Sequence, residues 1–144
     1  VPEEEYTIEF GQALIRREGT DCTIISFGRP FHFCLEAAEE LAKEGISCEV
    51  VDGRTIRPLD IETMITSVKK TNACVVVDQS WPFASVGSEI ASQIHRYCFY
   101  DLDNHVHRVH SDDVPTPYAY NLEQAYLPNS HKICEAVRSA TYNI

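Results

Sequence analysis

The chain has 144 residues, 12 Lys and Arg against 22 Asp and Glu, and a formal charge of −10. That length suits one domain, and 44% hydrophobic with 24% charged residues marks a folded chain, not a disordered one. The acidic balance argues against nucleic acid as partner and for a basic protein surface, and no apolar run reaches the roughly 20 residues of a membrane span.

Residues 1–10, opening on Val1-Pro2-Glu3-Glu4-Glu5, read as an extended acidic lead-in, with the folded domain over 11–144. With no starting Met and no signal peptide, the chain is expected to be a piece of a longer protein cut at a linker. Ala13–Arg17 reads as a short edge strand, and Glu18–Asp21 as a turn. Cys22–Phe27 is nearly continuous in apolar and β-branched residues, as a buried strand should be. The edge strand is expected to join it as a hairpin, and so to run antiparallel.

Phe31, Leu35, Ala38 and Leu41/Ala42 recur at helical spacing, with Gly45 as the stop. Cys48–Asp52 is a second buried strand. Asp60 can cap a helix whose stripe is Ile61, Met64, Ile65 and Val68, with Lys69 and Lys70 at the end that favours cations. Ala73–Asp78 is the clearest strand. Gly87 opens a helix with Ile90, Ile94 and Tyr97/Cys98 inward, Val106–Val109 is a weaker strand, and Pro115 and Pro117 stiffen a loop. A last helix carries Ile133, Val137 and Ala140. Strands alternating with helices predict an α/β fold, a three-layer sandwich around a mostly parallel sheet with one antiparallel edge strand.

The six cysteines (Cys22, Cys34, Cys48, Cys74, Cys98, Cys134) form no C-x-x-C pair and fall in apolar stretches, which predicts free buried thiols over a zinc site or a disulfide framework. Cys34 has only His32 as a possible activator and reads as core. Ligands of such sheets bind beyond the carboxyl ends of the strands. Gly28-Arg29-Pro30 there lacks the glycines of a dinucleotide or phosphate loop. Asp52 and Asp78 suit either a polar cleft with Trp81 or plain helix caps and partners of Arg54 and Arg57. Trp81-Pro82-Phe83 suits an interface loop or a loop folded onto its own domain. His105 and His107 share a strand face near Asp101 and Asp103, which suits a zinc ligand pair or a solvated strand end. No triad follows from order and spacing, so no catalytic, cofactor-binding or metal-binding residue is assigned. A stand-alone zinc-binding or small-ligand α/β module is the alternative class.

Six motifs occur in order: Cys34-Leu35-Glu36-Ala37-Ala38, Arg54-Thr55-Ile56-Arg57-Pro58-Leu59-Asp60, Lys70-Thr71-Asn72, Trp81-Pro82, Val86-Gly87-Ser88-Glu89-Ile90, and Asp113-Val114-Pro115-Thr116-Pro117-Tyr118-Ala119. Together they resemble the transketolase C-terminal domain family, and within it the beta subunits of pyruvate dehydrogenases over branched-chain 2-oxo acid or acetoin dehydrogenases. The resemblance implies a five-stranded sheet whose first strand is antiparallel. It implies an α₂β₂ enzyme that uses thiamine diphosphate and magnesium to decarboxylate pyruvate and pass the acetyl group to a lipoyl arm. The cofactor would lie outside this chain. The domain would serve assembly with the alpha subunit and a second beta subunit. It would also dock the small basic subunit-binding domain of dihydrolipoyl acetyltransferase through Asp103 and the terminal carboxylate of Ile144. The compartment implied is the mitochondrial matrix, or the cytoplasm of a bacterium. Gln79-Ser80 before Trp81, Asp52-Gly53, and the His105, His107, His110 set depart from the family pattern. The histidines beside Asp103 suggest partner binding that varies between about pH 5.5 and 7.5.

Overall fold

The structure, a computed structural model, describes residues 3–142. The chain forms β1 (Leu14–Arg17), β2 (Cys22–Ser26), α1 (Pro30–Lys43), β3 (Cys48–Asp52), α2 (Ile61–Thr71), β4 (Cys74–Val77), α3 (Val86–Cys98), β5 (His107–Val109), α4 (Tyr120–Tyr126) and α5 (Ser130–Ala140). One five-stranded sheet runs in the order β1-β3-β2-β4-β5. β1 is antiparallel to β3, and the other pairs are parallel.

All residues of β2 and β4 are buried, because helices cover both faces. Cys22, Ile24, Val50, Val75 and Val77 pack with residues of α1 and α5 on one face, including Cys34, Leu41, Ile133 and Val137. Ile25, Val51, Cys74 and Val76 pack with Met64, Val68, Ile90 and Ile94 of α2 and α3 on the other. The two-residue period of each strand sends neighbours to opposite cores. All six cysteines are free and buried. Cys34 donates its Sγ–H to the Pro30 carbonyl at 3.3 Å, and burial pushes its pKa up to about 12, as expected of a core thiol.

β1 is antiparallel as expected, but it does not form a hairpin with β2; it pairs with β3. Both edges of β2 are occupied by β3 and β4. Gly19 makes the crossing possible. A Cβ there would lie 2.2 Å from the Cys48 carbonyl carbon and the Glu49 nitrogen. In α1 the inward stripe is Phe31, Cys34, Ala37, Ala38 and Leu41, with Leu35 only half-buried and Ala42 exposed. Tyr97 of α3 points to solvent and Cys98 takes the inward place. The last strand is shorter than expected, beginning at His107, with Val106 buried just before it. α4 was not anticipated, since only Tyr126 in it is buried and no apolar stripe betrays it. Asp60 caps α2 as expected, accepting from the Thr63 N–H at 3.1 Å. No helix among the described residues is long and apolar enough to cross a membrane.

Two acidic residues among those described are buried, Glu49 and Asp78. Glu49 of β3 is fully buried under α2, and its Oε2 accepts from Lys70 Nζ and, at 3.3 Å, from the Gly19 N–H. Glu18 accepts from the same ammonium at 2.9 Å. The Glu49 and Glu18 carboxylates hold the Lys70 ammonium charged above its usual range. Glu49 Oε1 has no partner among the described residues. At the opposite edge the His107 ring stacks on His105, with centroids 4.1 Å apart. Burial first, and the His105 charge second, lower the pKa of His107.

Three outcomes follow from this packing. Gly19→Ala should cost at least about 3 kcal/mol in chemical denaturation, since the new methyl meets backbone that cannot yield. Lys70→Met strands a buried carboxylate and should cost about 2 kcal/mol or more, whereas Lys69→Met, which loses a 3.7 Å surface pair to Asp101, should cost under about 1 kcal/mol. Between roughly pH 6.5 and the lowered pKa of His107, the unfolded chain binds a proton at this site that the folded chain does not. Stability should therefore fall on acidification through that window, and His107→Gln should flatten part of the slope in melting curves taken against pH.

Candidate partner-docking site

The amino ends of the parallel strands carry the acidic site. α2 ends on Asn72, which sits in the left-handed conformation (φ 59°) as its C-cap. That residue clasps the loop after α3. Its Nδ2 donates to the Asp101 carbonyl at 2.6 Å, and its carbonyl accepts from the Asp103 N–H at 2.9 Å. Asn tolerates this backbone better than most residues, so one side chain both ends the helix and positions Asp103. On the other flank, Asn104 Nδ2 donates to the Ser139 carbonyl of α5 at 3.0 Å. Asp103 is thus held by its backbone, while its exposed carboxylate receives no hydrogen bond from a described residue.

A recess of about 270 Å³ opens beside it, lined among others by Asp21, Thr71, Asp103 and Tyr142. The Tyr142 hydroxyl donates to the Asp103 carbonyl at 2.8 Å, which lays the last described residue against the loop. Asp21 accepts from the Ser47 N–H at 2.7 Å and from Thr20 Oγ1 at 2.9 Å. Two carboxylates from different loops therefore face one small cavity. Ile144, the other expected docking residue, lies outside the described residues. A second recess, on the far side of Asp103, is lined by His95, Phe99, His105 and Tyr142. The His95 ring is held at both nitrogens, its Nδ1 lying 2.9 Å from the Ala91 carbonyl oxygen and its Nε2 3.4 Å from the Val106 amide nitrogen. This arrangement can accept a cation and pack its aliphatic stem on rings. Asp21 and Tyr142 were not singled out from sequence, because neither belongs to a motif. Only the fold brings residues 21, 103 and 142 together.

The carboxyl end differs. Asp78 is buried, and its Oδ2 accepts from the Gly87 N–H at 2.8 Å and from Ser80 Oγ at 2.7 Å. It ties β4 to the first turn of α3, as the capping alternative requires. Asp52 accepts from the Arg54 N–H at 3.1 Å. Trp81 is half-exposed and donates its indole N–H to the Val114 carbonyl at 3.2 Å. The Pro82 carbonyl accepts from Arg108 Nη2 at 2.7 Å, while Phe83 stands 86% exposed. The loop is therefore folded back at Trp81 and Pro82 and projects only Phe83. Asp52, Asp78 and Trp81 share none of the recesses described here, so the cleft of the alternative reading is not assembled. Among the described residues no three or more His, Cys, Asp or Glu side chains group to hold a metal. The stacked His105 and His107 rings lie face to face and do not converge on a common point with Asp101, which instead pairs with Lys69.

Comparison with known proteins places this geometry in a lineage. The model of the family "Transketolase, C-terminal domain" matches residues 11–133. The mitochondrial pyruvate dehydrogenase E1 component subunit beta of Dictyostelium discoideum is 45% identical over 139 residues, 96% of this chain and 39% of that protein. The corresponding subunit of Bacillus subtilis is 44% identical over 138 residues, covering 96% and 42%. The 2-oxoisovalerate dehydrogenase subunit beta of the same bacterium is 40% identical, over 96% of this chain and 42% of that one. The chain thus spans about four-tenths of the length of the curated relatives it matches. A solved structure, titled a split-gene transketolase in an inactive beta4 tetramer, superposes with a TM-score of 0.79 at 26% identity over 96% of this chain and 44% of that one. With the family model matched over most of the chain, and with the five strands and antiparallel first strand that the resemblance implied, the chain belongs to the transketolase C-terminal domain family.

Proposed function

We propose that this chain is the C-terminal domain of the beta subunit of a thiamine-diphosphate-dependent pyruvate dehydrogenase. Its role is assembly and docking, and the chemistry lies elsewhere in the enzyme. Identity near 45% to several pyruvate dehydrogenase beta subunits, against 40% to the 2-oxoisovalerate enzyme, favours pyruvate as the substrate of the whole. In this reading the cofactor and its magnesium lie outside this chain, and no step of their chemistry is assigned to its residues. The relatives include mitochondrial and bacterial proteins, which supports the mitochondrial matrix for a eukaryotic source and the cytoplasm for a bacterial one.

The partners of this reading are the alpha subunit, a second beta subunit, and the basic subunit-binding domain of dihydrolipoyl acetyltransferase. Trp81, Pro82 and Phe83 belong to the assembly surface, with Phe83 as the projecting anchor. The docking of the basic domain rests on one observation above all. The Asp103 residue is positioned by its backbone, its carboxylate has no partner among the described residues, and it lines a recess shared with Asp21 beside Tyr142. A Lys or Arg entering there gains charge-assisted hydrogen bonds, and the carboxylate of Ile144 supplies another acceptor.

Calorimetric titration of this chain with the isolated subunit-binding domain tests the reading. Asp103→Asn should weaken binding about tenfold or more, and a C-terminal extension beyond Ile144 should weaken it further. Affinity should fall as salt rises. Binding that neither change alters would remove Asp103 and Ile144 from the interface, and no binding by a dimeric sample would remove docking from this domain.

A further inference from the structure

A recess of about 700 Å³ lies at the carboxyl ends of β2 and β3, walled by Tyr6, Arg16, Phe31, His32, Asp52 and Arg54. Its size is that of a small-ligand site. Its chemistry is opposite to that of the chain. In a molecule of charge −10, two guanidinium groups and an imidazole from three elements line one cavity: β1, α1 and the loop after β3. Neither Arg16 nor Arg54 forms an ion pair with a described residue. The one carboxylate of the wall, Asp52, uses an oxygen on the Arg54 N–H. α1 begins here with no side-chain cap and no acid in its first turn. The helix terminus only adds to a field that the side chains set.

The place is also the one where α/β sheets bind ligands, outside the carboxyl ends of the strands. β2, α1 and β3 form a parallel crossover unit whose second strand ends on a carboxylate, Asp52. A carboxylate at that point of such a unit can accept from sugar hydroxyls. Gly28 stands alone in the intervening loop, so backbone amides cannot wrap a diphosphate, and the anion must be held by side chains. Arginine forks match a phosphate's oxygens in pairs. Tyr6, which is exposed, gives the recess ring surface for the remainder of a ligand.

We infer that this recess binds a phosphate monoester with a hydroxylated, ring-bearing body, the phosphate between Arg16 and Arg54 and the hydroxyls at Asp52. The site is separate from the docking surface, which lies at the other end of the sheet.

The test is calorimetric titration of the chain with AMP as probe and adenosine as its uncharged control. AMP should bind saturably, and adenosine at least about tenfold more weakly. Arg16→Ala and Arg54→Ala should each weaken AMP by about tenfold, Arg54→Lys should restore only part of the loss, and Asp103→Asn should leave it unchanged. Melting curves establish that the variants are folded. Should Arg54→Ala not fold, Arg16→Ala, on an exposed edge position, carries the test. Absence of saturable AMP binding, equal affinity for adenosine, or indifference to the arginine substitutions overturns the proposal.

Discussion

Everything this domain can do outside its core follows from the burial of β2 and β4 on both faces. Once α1 and α5 cover one side and α2 and α3 the other, the sheet offers a partner only its edges and its two ends. Side chains on the central strands are committed to packing, and Val, Ile and Cys fill them. Polar chemistry is pushed into the loops where strands begin and stop. Glu49, one of two buried carboxyl residues among those described, shows what the alternative costs. It needs Lys70 from α2 and the amide of Gly19, and one of its oxygens still lacks a partner among the described residues.

The two ends have become electrically different. The amino end carries Asp21 and Asp103 around a small recess, held by hydrogen bonds that leave the Asp103 carboxylate without a partner among the described residues. The carboxyl end carries Arg16, Arg54 and His32 around a larger one. Both ends use backbone anchoring more than side-chain pairing, so their charged groups are presented instead of neutralised. This is the arrangement expected of a module that holds partners and ligands, with its charge kept for encounters.

Much of the fold was legible in the chain's own pattern. The runs Cys22–Phe27, Cys48–Asp52 and Ala73–Asp78 are apolar enough that only a doubly covered sheet can accommodate them. The capping role of Asp60 could be read from its place before an apolar stripe. The buried thiols followed from their apolar neighbours. The errors fell where tertiary contact overrides local pattern. Tyr97 and Cys98 are adjacent and both suit the inner face of α3, and the rotation of the helix chose the cysteine. β1 lies next to β2 in sequence but pairs with β3, because the edges of β2 are taken.

Local pattern along the chain carries the class of fold, most of the elements that build its core, the family and the acidic character. Periodicity, turn chemistry and motif order are local properties, and they survive without coordinates. Tertiary structure alone decided which polar residues meet. Asp21, Asp103 and Tyr142 are scattered along the chain, as are Arg16, His32 and Arg54, and no spacing rule joins them. They converge because parallel strands stack their beginnings at one end and their terminations at the other. The same geometry separated Asp52 from Asp78, which the sequence had placed in comparable loops, by inserting β2 between their strands.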